Sequence, residues 1–299
     1  MNSNMIPLKD LNLTSRFLFD AVMEDPQTHQ DVLSIILGRE IPLLEKSESE
    51  KELRVSPLIR TIRMDVFSMD EEKVIYNTEM QQKRKNDLRR RSRFYQAMVD
   101  TSLLEPGVPD YNKLNQTYLI MITPFDLFGF GKYRYTFEAQ CIEKAGYTLQ
   151  DGAVRIFLNT RGSNDEEVSA ELAAFLHYVE NTTGEEASKT DSERVRRIHE
   201  RVCKVKSSEE MGVKYMQAWE ERYYDKQDAR REGLAEGLAE GRTQGRIEGR
   251  AQGEHSKLRS IVAHMSRKGS TVEEIAEILG ENRDTIFELA EEIRKEKEE

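Results

Sequence analysis

The chain has 299 residues, 33% of them charged and 37% hydrophobic, with a formal net charge of −10. That length fits one sizeable domain plus a second region, and so low an apolar share excludes a compact globule throughout. Its two cysteines lack metal-ligand spacing and exclude a disulfide scaffold, and the most apolar stretch, Tyr118 to Phe130, is broken by Pro124 and Asp126 and is too short for a bilayer.

The start of the chain has neither a basic nor an apolar leader pattern, so a cytoplasmic protein with no membrane partner is expected. Residues 14–38 space Phe17, Val22, Val32, Ile35 and Leu37 as one or two amphipathic helices closed by Gly38. Three strand-like runs follow: a short one at 52–56, then 61–68, then 73–81. An acidic turn, Asp70-Glu71-Glu72, makes the last two a hairpin. A helix is predicted over 86–104, ended by Pro106-Gly107. The run TYLIMIT at 117–123 reads as a strand buried on both faces, and 133–141 and 154–159 read as two more. Helix, meander, helix, strand is the order of an α/β sandwich.

From residue 165 everything reads as helix: 165–181, about 191–206 and 208–230. Residues 230–254 then repeat glycine every fourth position, at 233, 237, 241, 245, 249 and 253. Each helix-interior glycine costs about 1 kcal/mol relative to alanine, which predicts a marginal exposed helix or a spacer. Two short helices close the chain, the first opened by a Thr271–Glu274 capping box and stopped at Gly280, with Ile275, Ile278 and Leu279 apolar; Asn282 caps the second. The expected divisions are a core at 1–182, a helical connector at 183–229, the glycine segment at 230–254 and a helical tail at 255–299. Homo-oligomer formation through the C-terminal helices stands as an option. The last 19 residues carry eight acids against four bases and would repel phosphate.

The chemistry concentrates at residues 65–93. Asp65 lies inside one predicted strand and Glu79 and Gln81 inside the next, where carboxylates are costly unless paired or metal-bound. Glu79 and Gln81 are two apart, hence on one strand face, and a hairpin can bring Asp65 onto it. Two carboxylates with an amide or backbone carbonyl make a hard oxygen site suited to Mg²⁺ or Mn²⁺. Directly afterwards, residues 83–93 hold seven bases (Lys83, Arg84, Lys85, Arg89, Arg90, Arg91, Arg93) against one acid, followed by Phe94-Tyr95. Cations at a helix start oppose the macrodipole, which points to phosphate binding as their purpose. The overall acidity does not oppose this, since residues 1–162 carry 22 bases and 23 acids while 163–299 carry 23 and 32.

The segments RFLFDAVMEDP, IRMDVFSMDEEKVIYNTEMQ, RSRFYQAMVD, PFDLFGFGKYRYTF and DGAVRIFLNTRG, in that order over about residues 8–182, resemble the recombination-promoting nuclease and transposase family, a branch of the PD-(D/E)XK nucleases. The resemblance implies an α/β restriction-endonuclease-like core, a central mixed sheet flanked by helices, with an all-helical C-terminal extension. It implies a DNA endonuclease using Mg²⁺ or Mn²⁺, with Asp65 and Glu79 as metal ligands and Asp20 as a candidate further acid; the basic run itself puts Lys83, Arg84, Arg89, Arg90, Arg91 and Arg93 on DNA. Arg93 and Tyr95 match a patch on the helix after the active-site strands. Gln81 stands where the superfamily usually has lysine. A glutamine supplies no point charge, so Lys83 or the metal must compensate, or catalysis is slow. The alternative is a weak or inactive nuclease fold that binds DNA or assembles partners.

Overall fold

The computed structural model describes residues 5–53, 62–103 and 110–295. Helices α1 (Arg16–Met23) and α2 (Pro26–Leu37) form within the predicted amphipathic segment. The Asp25 carboxylate accepts from the Thr28 amide, Pro26 sits in the first turn, and Gly38 closes the helix at φ +67°.

Six strands follow: β1 (Leu44–Leu53), β2 (Ile62–Asp70), β3 (Ile75–Met80), β4 (Thr117–Thr123), β5 (Arg134–Phe137) and β6 (Ala153–Asn159). They form one mixed sheet in the order β1-β2-β3-β4-β6-β5. β3, β4 and β6 run parallel, and the other neighbours are antiparallel. The first strand is longer and earlier than the short 52–56 run predicted, whose residues 54–56 lie outside the described part. Its charged sequence hid it, but Lys and Glu are at home on an edge strand, where charge discourages pairing with another chain. The strand predicted at 133–141 is also trimmed: β5 ends at Phe137, and farther on only Gln140 bridges to Thr148.

The hairpin turn owes its shape to Asp70. Its buried carboxylate accepts from the Val74 amide (2.9 Å) and the Tyr76 hydroxyl (2.8 Å), while Lys73 adopts φ +63°. One face of the sheet packs Val66, Tyr76, Ile120, Ile122, Ile156 and Leu158 against α1, α2 and the later helices α4 (Ala170–Glu180) and α6 (Glu193–Ser207). The other face lies under α3 (Leu88–Leu103), with Ile75 packed on Met98 and Val99, and Leu119, Met121 and Phe157 on Leu88.

Residues up to 219 form one compact unit and 220–299 a second. The first includes part of the segment set apart as a connector. A short helix α5 (Gly184–Ser188), not foreseen, leads into α6, whose Val195, Ile198, Val202 and Val205 are buried in the main core. Each such side chain contributes about 1.5–3 kcal/mol, so α6 is part of the fold.

Helix α7 (Glu209–Arg267) runs without a break through all six tetrad glycines, choosing helix over spacer. Beyond the backbone of its own helical turns and its chain neighbours, no heavy atom of the described residues lies within 4 Å of where a Cβ would stand on any of these glycines. In the second unit, the end of α7 packs with α8 (Val272–Leu279) and α9 (Arg283–Lys295) around Val262, Ile275, Ile286 and Leu289. The two terminal helices therefore share a small core, although Ile278 points to solvent. The Thr271–Glu274 capping box forms, and Asn282 accepts from the Asp284 amide. Among the described residues no helix is long and apolar enough to cross a membrane.

Candidate active site

The registered pairs of the β2–β3 hairpin run from Met69 opposite Ile75 to Val66 opposite Thr78. One step further puts Asp65 across from Glu79, on the α3 face that also carries Ile75 and Asn77. Here side chains take over from the backbone ladder. The Asp65 amide donates to Glu79 Oε1 (3.1 Å), and the Met80 amide donates to Asp65 Oδ2 (3.0 Å). Each carboxylate thus satisfies a main-chain donor of the opposite strand. β3 meanwhile continues along β4, the Gln81 amide donating to the Ile122 carbonyl (2.9 Å).

Both carboxylates are nearly inaccessible, Asp65 at 2% and Glu79 at 3% exposure. Burial, reinforced by the Asp65 charge, pushes Glu79 up to about 8, against the opposing pull of the Asp65 amide, Arg91 and Arg16. Arg16 of α1 was not foreseen as a site residue. Its Nη2 lies 2.5 Å from Asp65 Oδ1, and its Nε lies 3.4 Å from Asp20 Oδ2. Only the i, i+4 spacing of Arg16 and Asp20 was visible in the sequence. Asp20 is tied to the pair through this guanidinium; among the described residues no three Asp, Glu, His or Cys side chains group as a metal would need. Asn77 was missed as well, its amide 3.4 Å from Glu79 Oε1.

The pair opens into a cleft of about 230 Å³ lined by Arg16, Asp65, Glu79, Gln81, Lys83, Lys85, Arg91 and Tyr95, among others. Gln81 lies one residue beyond β3, yet its side chain reaches the same cleft. Its amide nitrogen donates to the Lys83 carbonyl (2.6 Å), and its oxygen accepts from Arg91 Nη2 (2.6 Å). Tyr95 is held above its ordinary range by burial and then by the Glu79 charge, so its hydroxyl stays a donor at neutral pH. The basic run divides by position. Lys83 and Lys85 precede α3 and line the cleft, as does Arg91 from its first turn. Arg84, Arg89, Arg90 and Arg93 are exposed outside it.

Asp65 and Glu79 supply hard oxygen donors of the kind a divalent cation takes, while Arg16 pairs with Asp65 and the Gln81 amide is held by Arg91 and the Lys83 carbonyl. Residues 30–233 match the family described as PD-(D/E)XK nuclease family transposase. No curated protein and no solved structure gives a significant match.

Proposed function

The chain belongs to the PD-(D/E)XK nuclease family transposases, and from that membership we propose that it is a metal-dependent DNA endonuclease acting through Asp65, Glu79 and Gln81. One observation carries the reading: two buried acids face each other at the floor of a cleft whose walls are Arg16, Lys83, Lys85 and Arg91. Acids alone would repel a phosphodiester, and cations alone would bind one without cutting it. Their combination is what hydrolysis requires.

Asp65 and Glu79 would hold Mg²⁺ or Mn²⁺, which supplies Lewis acidity to the phosphate and a more acidic water. The chain's own residues do the rest. Lys83, Lys85 and Arg91 draw the DNA backbone into the cleft and neutralise its charge. The Tyr95 hydroxyl donates to a phosphate oxygen. Gln81 carries no charge, and its amide is occupied by Arg91 and the Lys83 carbonyl; it therefore positions Arg91, and Lys83 provides the cation that the usual lysine would supply. Arg16 balances the charge of Asp65.

The same glutamine favours a second reading, a nuclease fold that binds DNA without cutting it. Plasmid cleavage in Mg²⁺, Mn²⁺, Ca²⁺ or EDTA separates the two. We expect nicking with Mg²⁺ or Mn²⁺, none in EDTA, and a loss of about a thousandfold in Asp65→Ala and Glu79→Ala, as removal of several kcal/mol of transition-state stabilisation implies. Equal activity in wild type and either variant overturns the assignment. Binding with no cleavage under any metal selects the second reading.

A further inference from the structure

Beside the cleft, the α3 side of the sheet carries a ledge of aromatic rings that the proposed chemistry does not use. The loop between β4 and β5 brings Phe128 against Tyr135 and Phe137 of β5 and Phe157 of β6, with ring centres 4.7, 4.9 and 5.3 Å away. Phe130 lies 6.5 Å from Tyr135 and is 75% exposed; Phe137 is 38% exposed. A contiguous patch of exposed apolar rings marks a surface for interaction.

The loop is built to hold them. Asp126 accepts from the amides of Phe128 and Gly129 (2.9 Å each), the amide of Gly131 (2.6 Å) and the Tyr135 hydroxyl (2.8 Å). Gly129 and Gly131 take φ of +85° and +70°, conformations that cost a side-chain residue and place Phe130 at the tip.

Helix α3 joins the ledge to the cleft. Arg89 lies 4.9 Å over the Phe128 ring and donates to the Leu127 carbonyl (3.2 Å). Two residues on, Arg91 enters the cleft, and Tyr95 both lines the cleft and packs on the cluster of Leu127 and Phe157. Arg93 stands exposed one turn after Arg89.

We propose that this ledge binds an unpaired stretch of DNA, its bases stacked on Phe130 and Phe137 and its phosphates held by Arg89 and Arg93; the inference rests on the DNA reading above. Inside a duplex each base face is covered by its neighbours, so exposed rings stack most readily on bases of an unpaired strand. The adjoining cations select a polyanionic strand as the occupant over an apolar protein surface.

The test measures affinity of the full chain in Ca²⁺ for single-stranded, duplex and single-strand-tailed oligonucleotides, with 2-aminopurine in the unpaired part. Phe130→Ala with Phe137→Ala is compared with wild type and with Phe130→Leu, which keeps apolar bulk but not the ring. We expect wild type to quench the probe and to prefer tailed over fully duplex DNA. The double variant should lose about tenfold or more for the tail, as one stacked base is worth that much, with duplex affinity unchanged. Phe130→Leu should lose quenching too. Equal tail affinity and quenching in all three proteins overturns the ledge and leaves the nuclease reading intact. An altered sedimentation behaviour without altered DNA affinity overturns it in favour of a second copy of the chain, and failure to bind any DNA overturns both readings.

Discussion

The β2–β3 hairpin buries polar groups on both of its faces, and the two faces solve the problem differently. Toward α2, His29 joins Thr78 at Nε2 (3.0 Å) and Ser68 at Nδ1 (2.9 Å). All three are buried, neutral and mutually bonded, and burial lowers His29 to about 3. Toward α3, Asp65 and Glu79 are equally buried, but Asp65 is paired with Arg16, burial and the Asp65 charge raise Glu79 to about 8, and the two open onto a cationic cleft. Neutral partners that meet each other's hydrogen-bonding needs make a structural node. Acids with shifted titration in a cleft are the pattern on which the proposed function rests.

The largest effect should come from Glu79→Gln, which erases that contrast. The unfolded side chain loses its proton near 4.5 and the folded one near 8, so wild-type stability falls as pH rises through this window. In EDTA, denaturant unfolding should show the variant gaining on wild type by several kcal/mol between pH 5 and pH 8, while cleavage is lost. A constant difference between the two proteins would mean that Glu79 is not held protonated.

His29 tests the other face with the opposite sign. The unfolded imidazole takes a proton near 6.5 and the folded one only near 3. Its contribution is complete above 6.5 and disappears as pH falls, at about 1.4 kcal/mol per unit, or roughly 2 kcal/mol by pH 5. His29→Gln should unfold more readily at pH 7 yet lose this acid slope. An unchanged slope would place the titration elsewhere.

A smaller effect, read on binding, is expected when Arg89, Arg90 and Arg91 become Gln. DNA affinity should drop about tenfold for every sequence and depend less steeply on salt, because phosphate contacts release counterions and read no bases. If affinity and salt slope both hold, the basic run is a solvated surface.

The least change is expected from ending the chain after residue 228. Both polar faces and the whole cleft lie before residue 100. Cleavage by the truncated chain should match the full one; its loss, in a protein still folded by circular dichroism, would assign the C-terminal helices a catalytic part. Ending at residue 182 is a different cut, because it strips Val195, Ile198, Val202 and Val205 from the core.

What the sequence determined by itself was whatever depends on neighbours along the chain. Alternation within 73–81 placed Glu79 opposite the α2 face, the Asp70 turn fixed the hairpin, and Thr271–Glu274 fixed a helix start. The continuous apolar run at 117–123 marked a strand covered on both sides, and the charge count placed the basic cluster beside the acids. The tertiary structure decided what depends on distant partners. β1 is a strand because β2 offers it a ladder, despite a polar sequence of low strand propensity. α6 belongs to the core because its apolar stripe meets α1 and α2. Arg16 reaches Asp65 across 49 positions of sequence because α1 packs against the strand that carries it. Periodicity records which way a residue points, but only packing supplies what it meets there, and burial and charge balance are properties of that meeting.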